Sequence, residues 1–175
     1  MNPKSILYIA MSLDGYIAKA DDNIDFLSIV EKDGEDYGYT NFVNSVDTVI
    51  MGRKTYDKIL SLVPEFPHKD KETYIITHND KASLEKIKFY TGNLKELITT
   101  LKGKVAKDIF IDGGAEIVNE LLKDNLIDEF YISIIPILLG NGISLFQNRI
   151  PEFKLQLISS KAYEKGLVQL HYKVI

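Results

Sequence analysis

Apolar residues in this chain fall into short runs, separated by segments where they recur every three or four positions. "SILYIAM" (5–11), "DTVIM" (47–51), "TYIIT" (73–77) and "DIFID" (108–112) are nearly continuous runs. Runs of that length suit strands buried on both faces of a parallel sheet. "KIKFY" (86–90) and "IDEFYISII" (127–135) read as further strands. Between the runs the period lengthens. Tyr39, Phe42, Val43 and Val46 share one face of a helix within 34–45, and Tyr56, Ile59 and Leu60 share one within 53–61. Leu94, Leu97, Ile98 and Leu101 stand at i, i+3, i+4 and i+7, with Asn93 placed to cap them. "AEIVNELLK" (115–123) is a fourth helix. The end, 153–175, alternates apolar and polar residues around Lys165-Gly166, which predicts a hairpin with one face buried.

The order is β-α-β-α-β-β-α-β-α-β followed by the hairpin. Helices that connect strands imply parallel pairing. The predicted class is therefore α/β: a three-layer α/β/α arrangement with a mixed, mostly parallel central sheet ending in an antiparallel hairpin. At 175 residues the chain is expected to form one domain, 1–175. The stretch 12–25 reads as a polar, flexible loop, and "PEFPHKDKE" (64–72) as a loop punctuated by proline.

Composition narrows the function classes. With 45% apolar and 26% charged residues the chain resembles an ordinary soluble domain. A net charge of −4 argues against a nucleic-acid partner, which recruits a basic face. The absence of cysteine excludes disulfides and thiol catalysis. The longest apolar stretch, "FYISIIPILL" (130–139), is about half of the roughly 20 residues a helix needs to cross a bilayer. The N-terminal apolar run is cut short by Asp14, without a cleavage site, so a cytoplasmic location is expected. His68, His78 and His171 are far apart, without metal-ligand spacing, and read as surface or hairpin residues; no metal is expected.

Two strand-to-helix junctions carry the chemistry. One is Met51-Gly52-Arg53-Lys54-Thr55, the other Ile111-Asp112-Gly113-Gly114-Ala115. Ligands of open α/β sheets gather at the carboxyl ends of the strands. Helix N-termini there present unpaired N–H groups and partial positive charge, and glycine lets a ligand approach the backbone. Two such junctions suit a pyrophosphate. "GRKT" is not a phosphate loop, because the place of that motif's first glycine is taken by Asp47; "DGGAEI" is not the G-x-G-x-x-G fingerprint.

Five segments, "ILYIAMSLDGYIA", "DTVIMGRKTYD", "KETYIITHN", "DIFIDGGAEIVNELL" and "IPILLGNGISLF", occur in an order that resembles the dihydrofolate-reductase-like fold. "SLDGYIA", the diglycine, P-x-L-L-G-x-G-x-x-L-F and the ending "GLVQLHYKV" are more similar to the reductase domain of riboflavin-biosynthesis deaminase/reductases and its stand-alone relatives. The resemblance spans nearly the whole chain. It implies an NADPH-dependent reductase. Gly52, Arg53, Lys54 and Thr55 would meet the adenosine phosphates and pyrophosphate, and Thr77, His78 and Asn79 would flank the 2′-phosphate. Gly113, Gly114, Ala115 and Glu116 would pass beneath the pyrophosphate. Ala10 and Ile17 would bracket the nicotinamide, with the 12–25 loop closing over it.

On the substrate side the resemblance points to Asp36 and Asp112 as catalytic carboxylates; Glu35 lies next to Asp36, and a solvated helix charge is the alternative reading of either. The tryptophan that many relatives carry after the first loop is missing, with Phe26 or Leu27 near its place, and Ser133 matches a hydroxyl across the site. The implied substrates are a ribosylamino-pyrimidine of the riboflavin pathway and, second, dihydrofolate. A nucleotide-binding module without efficient catalysis is the alternative from another class. The terminal hairpin and the apolar residues of 137–146 suggest a homodimer. If Arg53 meets a 2′-phosphate, Arg53→Ala should remove a charge-assisted hydrogen bond of about 1.5–3 kcal/mol. In a binding titration it would then weaken NADPH by roughly 10–150-fold and leave NADH nearly unchanged; equal losses would place Arg53 elsewhere.

Overall fold

The fold is seen in a computed structural model that describes residues 2–79, 81–147 and 150–175. In chain order the elements are β1 (Ser5–Ser12), β2 (Tyr16–Ala18), a 3-10 helix (Asp25–Val30), α1 (Tyr39–Ser45), β3 (Val46–Gly52), α2 (Arg53–Leu62), β4 (Glu72–Ile76) and β5 (Ile87–Tyr90). Then follow α3 (Leu94–Lys102), β6 (Asp108–Gly113), α4 (Ala115–Lys123), β7 (Glu129–Ile135), β8 (Ile143–Ser144), β9 (Leu155–Ala162) and β10 (Val168–Val174). Eight strands form one sheet in the order β5-β4-β3-β6-β1-β7-β10-β9. The strands from β5 to β7 are mutually parallel, and β10 and β9 close the sheet antiparallel. This is the mixed, mostly parallel sheet with a terminal hairpin that the hydrophobic pattern predicts.

The continuous apolar runs have a direct cause. Successive side chains of a strand point to opposite faces, and both faces of the central strands are covered. Leu7, Ile50, Ile109 and Ile111 pack against the apolar stripes of α3 and α4. Ile6, Val49, Met51 and Phe110 pack on the other side with Phe42 of α1 and Tyr56 of α2. The expected cap of α3 is present, with Asn93 Oδ1 accepting from Glu96 N at 3.1 Å.

Several local expectations are corrected. The first helix is shorter than 34–45: it begins at Tyr39, because Tyr37 (φ 57°) and Gly38 (φ 84°) reverse the chain just before it. Asp36 therefore precedes the helix instead of lying on it. The 12–25 stretch is structured, since β2 pairs with β8 and the 3-10 helix follows. Asp14 holds it down by accepting from Ser12 Oγ (2.6 Å), Leu139 N (3.1 Å) and Gly140 N (2.7 Å). The hairpin lacks the expected buried face on its outer strand, where all eight residues of β9 are exposed. His68 is not a surface residue; it is 1% exposed, between the rings of Phe66 and Phe110. Among the described residues no helix is long and apolar enough to cross a membrane.

Candidate active site

Parallel strands end together, so the C-terminal ends of β1, β3, β6 and β7 lie along one edge of the sheet. The two glycine junctions meet there. A Cβ added to Gly52 would come within 3.8 Å of Gly113 O and 3.9 Å of Gly114 N. Gly113 has φ +100°, a region that side chains disfavour, and its peptide bond to Gly114 is cis. Gly114 has ordinary φ, and a Cβ on it would meet Thr55 Oγ1 at 3.2 Å. Neither α2 nor α4 has a side-chain cap at its N-terminus, so their first N–H groups are free to meet an anion. Lys54 Nζ and Glu116 Oε1 approach to 3.4 Å across the two helix starts.

Arg53 is already engaged. Its Nε lies 2.8 Å from both carboxylate oxygens of Asp57, and its guanidinium sits over Phe89 at 5.5 Å. Lys81, which the motifs did not single out, lies over the same ring at 4.9 Å. Thr77, His78 and Asn79 follow β4, next to β3, and Asn79 N donates to Thr77 Oγ1 at 3.2 Å. This corner gathers two cations and a turn around Phe89.

A cleft of about 600 Å³ opens between the sheet and the segment 27–39. Its floor includes Tyr8, Ala10, Ser133, Ile135 and Leu167. Ala10, Ser133 and Gln169 stand in one row across β1, β7 and β10. Gln169 Nε2 reaches Tyr8 Oη (2.9 Å), Ser133 Oγ (3.1 Å) and the Tyr37 carbonyl (3.3 Å). That carbonyl also accepts from Tyr8 Oη (3.0 Å) and Tyr163 Oη (3.3 Å). Three donors on one oxygen tie the 31–38 segment to the sheet. Neither Tyr37 nor Gln169 was legible as a site residue, because the contact is made by a backbone carbonyl, which no motif encodes.

The predicted site residues do not all converge. Ala10, Asp36 and Ser133 line the cleft. Phe26 is buried beneath it in a cluster with Val30, Ile135 and Leu167, while Leu27 takes the lining position. Ile17 packs with the α3 and α4 cluster, on the opposite side of the sheet from Ala10's cluster. Asp36 accepts from Gly38 N (2.9 Å) and Thr40 N (3.0 Å). Hydrogen bonding from Thr40, then from the Gly38 N–H, holds its carboxyl below the usual range, so it is ionised and occupied by the turn.

Asp112 is the opposite case. The pleat puts it on the same face as Phe110, and its charge is felt by Tyr39, which lines the cleft. Among the described residues it has no hydrogen-bond or ion-pair partner, and burial pushes its carboxyl up to about 7. Tyr39 Oη in turn lies 3.4 Å from Nε2 of His68, whose imidazole is pushed down to about 4 by burial and so stays neutral. A carboxyl that titrates near neutrality at the end of a strand is suited to giving a proton.

Architecture and site together define the class: this is the dihydrofolate-reductase-like fold. Dihydrofolate reductase from Enterococcus faecalis, solved with NADP(H), superposes with a TM-score of 0.69 at 16% identity over 99% of both chains. The chain belongs to the RibD C-terminal domain family, whose model matches residues 3–169. It is 44% identical to the uncharacterized protein YwjB of Bacillus subtilis (strain 168) over 98% of each chain. A Shewanella sp. PV-4 protein provisionally named for riboflavin biosynthesis superposes with a TM-score of 0.89, at 33% identity, over 98% of this chain and 99% of that one.

The raised carboxyl of Asp112 has a measurable consequence for stability. The folded state holds this proton more tightly than the unfolded chain does, so stability falls as pH rises from about 4 through about 7. Asp112→Asn should therefore unfold at higher urea than the parent at pH 8, by about 1–3 kcal/mol, and the difference should vanish below pH 4. A gap independent of pH would show that Asp112 is not the titrating group.

Proposed function

We propose that this chain is an NADPH-dependent oxidoreductase that reduces an electron-poor C=N or C=O bond of a small heterocycle, as a cytoplasmic protein of one domain, 1–175. The observation that carries the reading is the meeting of two uncapped helix N-termini, over glycines, at the sheet edge near the end of β6, where the carboxyl of Asp112 is raised. The residues present fit a dinucleotide. Gly52, Thr55, Gly113, Gly114 and Ala115 would hold its pyrophosphate through backbone N–H groups and a hydroxyl. Arg53, Lys54, Thr77, His78 and Asn79 would surround the 2′-phosphate, with Lys81 as a further cation. The exposed Arg53–Asp57 pair is worth about 0–1 kcal/mol, so Arg53 can turn to a phosphate at little cost. Glu116 lies at the same helix start and is balanced by Lys54.

The bound cofactor supplies a hydride from its nicotinamide. The protein orients the substrate, excludes water and places the proton. Ala10 leaves room on the sheet for a flat ring, and Leu27, Tyr37 and Tyr39 wall the cleft. Asp112 delivers its carboxyl proton to the heteroatom next to the carbon being reduced. Asp36 is the carboxylate a pterin reader would use, but both of its oxygens are committed to the turn before α1. The riboflavin-type reading is therefore favoured over the dihydrofolate-type one.

The test is NADPH consumption across a panel of pyrimidine and pteridine carbonyls and imines. Asp112→Asn should lower kcat by about 10²–10⁴ and leave NADPH affinity within a few fold; Asp36→Asn should change kcat far less. Loss at Asp36 alone would favour the pterin-type reading. NADPH binding without turnover of any panel member would favour a nucleotide-binding module, and no NADPH binding would overturn the proposal.

We also propose a homodimer, now on narrower ground. Of the apolar 137–146 segment, Leu145 is fully buried and Ile137 and Leu139 pack on the protein's own core. Leu138 and Phe146 of that segment stay exposed, and so does β9, an edge strand with Leu155, Leu157 and Ile158 between 42% and 49% exposed. An apolar edge of this kind is a template for pairing. Sedimentation at micromolar concentration should give twice the 19.9 kDa chain mass, and Leu157→Lys should return it to monomer. A monomer before mutation would refute the dimer.

A further inference from the structure

The cleft's rim adds a constraint that neither the fold nor the junctions impose. One wall is the segment 31–36, in which Glu31, Asp33, Glu35 and Asp36 line the cleft together with Lys32. Lys32 offsets them only in part, because its Nζ pairs with Glu164 while it also feels Glu35. Glu35 and Asp36 are fixed in place: Glu35 Oε1 accepts from Tyr37 N at 2.8 Å, and Asp36 holds the Gly38 and Thr40 N–H groups. The carboxylates of Glu31 and Asp33 are exposed, without a hydrogen-bond partner among the described residues. The cations behind this wall are set back from the cleft. Lys161 lies over the Tyr163 ring at 4.3 Å, and Lys165 is near Glu164. No arginine lines the cleft among the described residues.

The floor independently points to a ligand. Ser133 is 4% exposed, yet it lines the cleft. Its oxygen accepts from Gln169 Nε2, and that amide orientation is set by the Tyr37 carbonyl, which a Gln169 oxygen could not approach. The serine's own proton has no acceptor among the described residues. A hydroxyl is both donor and acceptor, and a buried donor left without a partner is costly. The missing acceptor is a ring nitrogen or carbonyl of whatever occupies the cleft.

We infer that the cleft takes a flat, hydrogen-bonding heterocycle that carries no anionic tail, neutral or cationic, and rejects phosphorylated or carboxylated forms of the same ring. This rests on the reductase reading of the cleft and narrows it. A ribosyl phosphate and the glutamate of a folate would each bring negative charge toward the rim, where four carboxylates, two of them fixed by backbone hydrogen bonds, repel it. Selection then works by repulsion of the wrong ligand as well as attraction of the right one. The substrate class is a nitrogen heterocycle, such as a ribosylamino-pyrimidine, that lacks a phosphate.

Two matched pairs test this on the full chain: 6-methylpterin against pterin-6-carboxylate, and cytidine against cytidine 5′-monophosphate. Affinities are measured by calorimetry at low and high salt, with an NADPH titration alongside. In each pair the uncharged member should bind at least about 10-fold tighter at low salt, which is about 1.4 kcal/mol, and salt should shrink the gap. Glu31→Gln with Asp33→Asn should narrow it by strengthening the anionic member. Equal or tighter binding of the anionic members, binding of neither uncharged probe, or a gap that the double substitution leaves untouched would each overturn the inference. Failure to bind NADPH is read separately and would sink the reductase reading, whereas the charge preference is read from the pairs whether or not the cofactor binds.

Discussion

The structure depends on one constraint: β1 is hydrogen-bonded in parallel on both sides, to β6 and to β7. A strand held that way has no free backbone edge and must bury both faces, which is why Leu7 and Ile6 are both nearly inaccessible although they point in opposite directions. Parallel neighbours also require crossovers, so helices must return over both faces of the sheet. The same pairing brings the exits of β1, β3, β6 and β7 to one edge. The two glycine junctions lie at that edge, and Ala10 and Ser133 lie two residues short of it on β1 and β7.

Two aspartates show how much the surroundings decide. Asp36 and Asp112 are chemically identical, and both were candidates for the same role. Asp36 accepts two N–H bonds at an exposed turn, so its charged form is favoured and the group is committed to shaping the chain. Asp112 ends a buried strand with no partner among the described residues, so its neutral form is favoured. One serves the backbone; the other has a side chain with no partner among the described residues. Partnering, which separates them, is a property of the fold rather than of the residue type.

The turn before α1 does more than redirect the chain. Its left-handed residues, Tyr37 and Gly38, aim the Tyr37 carbonyl into the sheet, where hydroxyls from β1 and from the end of β9 and an amide from β10 converge on it. That convergence fixes the acidic segment 31–36 as a wall of the cleft. Backbone strain of this type persists only where its surroundings hold it, and here they are the side chains that form the cleft floor.

The sequence by itself determined the sheet, the helices that cover it and the two glycine junctions. Each rests on local information: continuous apolar runs, apolar residues at helical spacing, Asn93 at a cap, and glycine at the end of a strand. The family resemblance was legible for the same reason, because its motifs are contiguous. Tertiary structure alone decided the rest. His68 looked like a loop residue and is buried, since the segment that carries it folds back onto Phe110. Phe26 and Leu27 are neighbours in sequence, and only the orientation of the 3-10 helix decides which one reaches the cleft. Gln169 and Tyr37 are 132 positions apart. Their contact exists because β10 pairs with β7 and a strained turn points a carbonyl at the row between them, and pairing at that distance leaves no periodic trace in the chain.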